Sequence, residues 1–173
     1  MKTDFSDFTI YMIALGTLGA FRWLGEKSLT EALLMAAFFG LLYAAGQIDR
    51  KRGRLPDWCM GAAFLLGFCG LPFFEGILIS DRILGSFAVS LPLLMICLLR
   101  PGAFGGGDVK LMAGCGFFLG AEAVWLSFLF AIFAAGGRAL FLLFTGRAGR
   151  KTRFPLGPFL CAGMALVLVF GFP

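Results

Sequence analysis

The chain has 173 residues, of which 60% are hydrophobic and only 14% charged, with a formal net charge of +5 and no histidine. Soluble domains run nearer half apolar and a quarter charged, whereas here the apolar residues fall into runs of about the 20 residues that cross a bilayer. Composition thus excludes an ordinary soluble domain and predicts an all-α polytopic membrane bundle, one domain over residues 1–173 with no soluble appendage.

In lipid a backbone must satisfy its own hydrogen bonds, so each long apolar run is read as a helix. The first run, 8–24, follows an acidic start and has no small-residue cleavage site before Arg22. It is therefore predicted to be a retained helix rather than a signal peptide. The second, 30–48, ends at Asp49 and the basic stretch Arg50, Lys51, Arg52 and Arg54. Pro56 then breaks the chain, and Asp57 is expected to cap a third helix over 58–79. A fourth covers 82–99, and a glycine run leads into a short fifth over 109–120. The sixth, 122–145, could merge with the fifth, and the last spans 154–172, for six or seven helices in all.

Orientation follows from the basic residues. With seven alternating helices, Arg50 to Arg54, Arg100 with Lys110, and Arg147, Arg150, Lys151 and Arg153 share one face. The opposite face carries Lys27 and Arg82 among Glu26, Glu75, Asp81 and Glu122. Positive loops stay cytoplasmic, which places Asp49 and Asp108 on the cytoplasmic side of the membrane. The positive charge is explained by this bias and by contact with anionic lipid headgroups; no basic, aromatic platform for nucleic acid is present.

Asp108 is the most informative residue. It closes the run Gly105-Gly106-Gly107-Asp108-Val109-Lys110 beside an apolar helix, and ionisable groups at such sites are costly and usually functional. Its structural alternative is an N-cap for a helix starting at Val109. Three consecutive glycines exceed what a turn needs, and permit close backbone approach and positive φ, as in a loop under an extended peptide. Gly102 and Gly107 have the outer spacing of a phosphate-binding loop, but Asp108 stands where that motif requires lysine. Asp49 is the second candidate, since a helix C-terminus disfavours an anion; its structural alternative is a pair with Arg50 or Arg52. Arg22 and Arg138 are read as snorkelling to headgroups, and Gly116-x-x-x-Gly120 as close packing within the bundle. The five cysteines, Cys59, Cys69, Cys97, Cys115 and Cys161, form no C-x-x-C pair. They read as small buried hydrophobes rather than metal ligands.

Three segments in order resemble the type IV prepilin peptidase family, membrane aspartyl proteases of the GxGD type. Asp49 with its basic turn and Leu55-Pro56-Asp57 is similar to the family's first aspartate segment. Gly105 to Leu111 matches its glycine–aspartate signature, and Phe154-Pro155-Leu156-Gly157-Pro158 resembles its C-terminal segment, with Leu156 where phenylalanine is usual. The resemblance implies Asp49 and Asp108 as a catalytic pair and Gly105, Gly106, Gly107 and Lys110 as an active-site loop. It implies a prepilin-like substrate with a short basic leader, in a type IV or tight-adherence pilus pathway, and no cofactor. Long bacterial members carry a cysteine-rich insert and also N-methylate the product. The closeness of the first two helices and the lack of cysteine pairs are similar to the short, peptidase-only members; archaeal preflagellin peptidases are related candidates.

Two carboxylates sharing a proton provide both a general base for water and a general acid for the leaving amine. A small transporter would place its acids nearer the bilayer midplane, and a non-enzymatic assembly subunit gives no reason for the glycine run. Both remain as alternatives at this level.

Overall fold

The computed structural model describes residues 12–19, 29–74, 76–100, 105–146 and 156–170. Residues 12–19 are helical. Seven further helices follow: α1 Leu29–Arg52, α2 Asp57–Cys69, α3 Ile79–Ala88, α4 Ser90–Leu99, α5 Gly106–Leu119, α6 Ala121–Phe144 and α7 Gly157–Phe170. No strand occurs among the described residues. Three segments are long and apolar enough to cross a membrane: α1, the continuous stretch Ile79–Leu99, and α6. The chain is a helical membrane protein. Arg22, Glu26, Lys27, Glu75, Gly102 and the basic residues from Arg147 to Arg153 lie outside the described residues, as do Phe154 and Pro155.

Several predicted boundaries move, each for a local reason. The third helix was expected over 58–79 but ends at Cys69. Gly70 closes it by donating its amide to Leu66 O at 2.9 Å, and Pro72 cannot resume a helix there. The fourth begins at Ile79 and is interrupted at Val89. Pro92 explains the break, because its ring clashes with the carbonyl four residues back, that of Ala88. Ser90 Oγ donates to Ser86 O across the interruption. The fifth starts at Gly106 rather than Val109, so Asp108 sits inside its first turn. Gly120, at φ +86°, separates α5 from α6 and keeps them from merging.

Asp57 does not cap α2. The cap position is Pro56 and makes no side-chain hydrogen bond, while Asp57 is the first helical residue. The second helix extends to Arg52, so Asp49 lies in its last turns. Gly53, at φ +61°, ends it by donating to Asp49 O at 2.7 Å, the left-handed C-terminal cap that glycine favours.

The core forms where three stripes meet. Phe38, Leu42, Ala45 and Asp49 repeat at helical spacing on α1 and are all buried. Asp108, Leu111, Met112, Cys115 and Phe118 do so on α5, and Gly157, Leu160, Cys161, Met164 and Leu168 on α7. Positions three and four apart share a helix face, so each stripe buries one side and carries a site residue at its end. The Phe38 ring stacks on Phe118 at 4.0 Å, and Phe117 packs on Phe64 and Phe68 of α2. Three of the cysteines, Cys59, Cys115 and Cys161, lie in this core; Cys69 is exposed.

Small residues set the helix spacings. A Cβ on Gly114 would lie 2.8 Å from Met60 O, and one on Gly85 would lie 2.7 Å from the carbonyl carbon of Gly120. Gly116 backs directly onto the Gly85 backbone. The G-x-x-x-G pair therefore receives α3 within the bundle. At that same end Arg82 is fully buried, and its Nη1 donates to Phe117 O and Phe118 O at 3.3 Å. A cation is thus seated on the negative end of α5.

Candidate active site

Asp49 comes from the last turns of α1 and Asp108 from the first turn of α5. They are 59 positions apart in sequence (108 − 49), yet the bundle brings their carboxylates within electrostatic reach of each other. Both are buried, each 6% exposed. One oxygen of each, Asp49 Oδ2 and Asp108 Oδ1, has no hydrogen-bond partner. Buried polar atoms are nearly always paired, so an unpaired oxygen on each of two interacting carboxylates is a departure, one shared among buried groups by Gln47 and Arg82. Bundles tolerate such groups where chemistry needs them.

The supporting contacts come from backbone. The Gly157 amide, at the start of α7, donates to the Asp49 carboxylate. A helix N-terminus offers free N–H groups and the positive end of the dipole, so α7 holds a carboxylate that α1 alone would disfavour. A Cβ at Gly157 would come within 2.5 Å of Asp49 Oδ2. Glycine is therefore required here by space, not by conformation. The Gly105 amide donates to Asp108, and the Asp108 amide in turn donates to Gly105 O at 3.0 Å.

The glycine run divides into three different roles. Gly105 is the residue before the helix, with φ −75° and ψ 134°, and a Cβ there would stand 3.2 Å from Asp108 Oδ2. Gly106 meets nothing within 4 Å. Gly107 packs on Leu55, where a Cβ would lie 2.8 Å from Leu55 Cβ and 3.2 Å from Leu55 N. The expected positive φ is absent from all three, since the described positive-φ glycines are Gly53, Gly120 and Gly146. Close backbone approach does occur, but the partner at Gly107 is this chain's own Leu55. Gly106, Gly107 and Lys110 lie in α5 rather than in a loop.

Lys110 points to the surface and pairs with Asp57, Nζ to Oδ1, at 2.6 Å. The pair joins the first turns of α5 and α2 at the carboxylate end of the bundle. Sequence reading had not paired these two, nor had it assigned Gly157 or Leu55 a contact at the site. Gln47 was also missed: it is buried with both amide atoms unpartnered. It is two residues from Asp49, on the opposite side of the helix, and nothing in the structure explains its burial. Among the described residues, no group of three or more His, Cys, Asp or Glu is arranged to hold a metal ion.

Fold and site together define a helical membrane protein with a buried carboxylate pair at one end of the bundle. Residues 36–140 match the family described as the type IV leader peptidase family, and the chain belongs to it. It is 35% identical over 145 residues to a prepilin leader peptidase/N-methyltransferase of Burkholderia pseudomallei (strain 1026b), covering 79% of this chain and 47% of that protein. It is 33% identical over 89 residues to one of Bacillus subtilis (strain 168), covering 51% of this chain and 36% of the relative. The chain thus spans less than half the length of these relatives. No solved structure matches it. Asp49, Asp108 and Lys110 fall inside the matched family segment, whereas Gly157 lies beyond it.

Proposed function

We propose that this chain is a membrane aspartic endopeptidase of the GxGD type that removes the short basic leader of type IV prepilin-like or tight-adherence pilin precursors. The observation that carries the reading is the pair of buried carboxylates, brought together from α1 and α5 with one unpartnered oxygen each. Family membership supports the substrate class.

In the proposed cycle one carboxylate is ionised and takes a proton from water, which attacks the scissile carbonyl carbon. The other is protonated and gives its proton to the departing amine. Close like charges favour this singly protonated state, and the two residues exchange states at each turnover. Gly157 and Gly105 hold one side of each carboxylate through backbone N–H groups.

The site is proposed to face the cytoplasm across the inner membrane. Arg50, Lys51, Arg52, Arg54 and Arg100 all lie at the carboxylate end of the described helices, as positive-inside topology requires. The peptidase half of the relatives' double name is the part proposed here. Residues 20–28 alone separate the first two helical segments, and the sequence has no C-x-x-C pair, in keeping with a short form that does not methylate.

Detergent-solubilised protein incubated with a synthetic prepilin should release the leader and expose one new N-terminus after the leader's glycine, read by mass spectrometry. Intact precursor after prolonged incubation with folded protein, over several prepilins, would remove the reading.

A further inference from the structure

The described acids sort cleanly by position. Glu31, Asp81 and Glu122 occupy the first turns of α1, α3 and α6, at the end away from the carboxylate pair. Asp49 and Asp108 are buried. This leaves Asp57 as the one exposed carboxylate, among the described residues, at the end where the proposed chemistry occurs. Its side chain is 72% exposed and its partner Lys110 is 50% exposed. Every other described charge there is basic: Arg50, Lys51, Arg52, Arg54 and Arg100.

The pair is also close to the reacting groups along the chain. Lys110 follows Asp108 by two positions on α5, and Asp57 follows Leu55 by two, the residue packed on Gly107. Lys110 is on the solvent side of α5 and Asp108 on its buried side, so the pair borders the same end of the bundle as the carboxylates. An exposed ion pair contributes little to stability, so Lys110 is a weak anchor for α5. It is equally a counter-ion that another cation displaces at small cost, since one screened pair is exchanged for another.

We infer that Asp57 is the docking carboxylate for a lysine or arginine of the substrate's leader, with Lys110 as the resting counter-ion that yields it. This rests on the peptidase reading. A basic leader is otherwise repelled by the cluster around the site, and Asp57 supplies the local attraction that seats it. Asp57 is a specificity residue acting on binding and takes no part in proton transfer.

The test uses full-length protein in detergent and two synthetic precursors, one with lysines in its leader and one with glutamines in their place. Asp57→Asn should raise KM for the lysine leader about threefold, the size expected of an exposed charge pair. It should leave KM for the glutamine leader, and kcat for both, unchanged. Lys110→Gln should act in the opposite sense and lower KM for the lysine leader by freeing Asp57. Asp57→Glu, which keeps the charge, should restore the lysine preference. Equal losses from Asp57→Asn and Lys110→Gln on both leaders would overturn the assignment and make the pair a clamp between α2 and α5. Should Asp57→Asn fail to fold, the sign of the Lys110→Gln effect decides alone. A wild-type protein that cuts neither precursor would sink the peptidase reading itself, a result separate from any pattern among the variants.

Discussion

The two ends of this bundle differ in which charges they bring together. At one end Arg82 is seated on the carbonyls that close α5, while Asp81 lies beside Gly120 at the start of α6. Each charge thus meets the helix terminus of opposite sign, which is the favourable arrangement. At the other end two carboxylates of the same sign are brought together, each with an oxygen left without a partner. Like charges in a poorly solvated place are mutually unfavourable. Both ends set charges on helix termini of opposite sign, and both leave polar atoms without partners, Arg82 Nε and Nη2 among them; only the carboxylate end brings two like charges together. The difference also separates two kinds of damage, loss of fold and loss of chemistry, that mutation should resolve.

The largest expected effect is on turnover at the carboxylate end. Asp49→Asn and Asp108→Asn should each reduce the initial cleavage rate of a prepilin by at least about a hundredfold, the lower range for general acid–base groups. Both proteins should remain folded, since asparagine relieves the like-charge contact. Thermal unfolding in detergent, run beside the rate assay, reads both. Residual turnover within tenfold of wild type in either variant would break the pairing.

Gly157→Ala comes next. The added carbon would meet Asp49 Oδ2 at 2.5 Å, displacing the carboxylate or lifting α7 away from it. Misplacement on that scale is expected to cost about tenfold to a hundredfold in rate, with the loss in kcat. A variant with unchanged kcat would show that the α7 amide does not position Asp49.

Within the glycine run the effects should be uneven. Gly107→Ala overpacks Leu55 and should cost about 1–3 kcal/mol of stability along with activity. Gly105→Ala, with Asp108 Oδ2 at 3.2 Å, should be intermediate. Gly106→Ala meets open space and should be close to neutral. A flat series in melting temperature and rate would mean that the run is a plain connector.

The smallest effect on chemistry should come from the far end. Arg82→Met leaves the Phe117 and Phe118 carbonyls without their donor, at a cost of about 1–3 kcal/mol, while filling similar space. Melting temperature should fall and the turnover of the folded fraction should not change. A selective loss of kcat would show that the two ends are coupled through α5.

Much of this could be read from the chain alone because it is local. Apolar runs specified the helices, and Pro56 marked a break. Asp49 and Asp108 stood out because a carboxylate ending an apolar stripe is costly wherever the stripe goes. The errors were local rules with more than one outcome. Asp57 looked like a cap, and pairs instead with Lys110; the glycines suggested positive φ, and two of them, Gly105 and Gly107, serve space. The apolar run predicts a third helix ten residues longer than the one that forms (79 − 69), because it continues through Gly70 and Pro72.

The sequence by itself determined a membrane-embedded helical chain and its family, and marked the two aspartates as candidates, since composition, periodicity and short motifs act over a few residues. Only the tertiary structure decided that the Gly157 amide meets Asp49, that Leu55 fills the space over Gly107, that Lys110 finds Asp57 and that Arg82 is buried on α5. Those pairings join residues distant in the chain. They depend on how the faces of α1, α2, α3, α5 and α7 pack together, which no local pattern of apolar residues specifies.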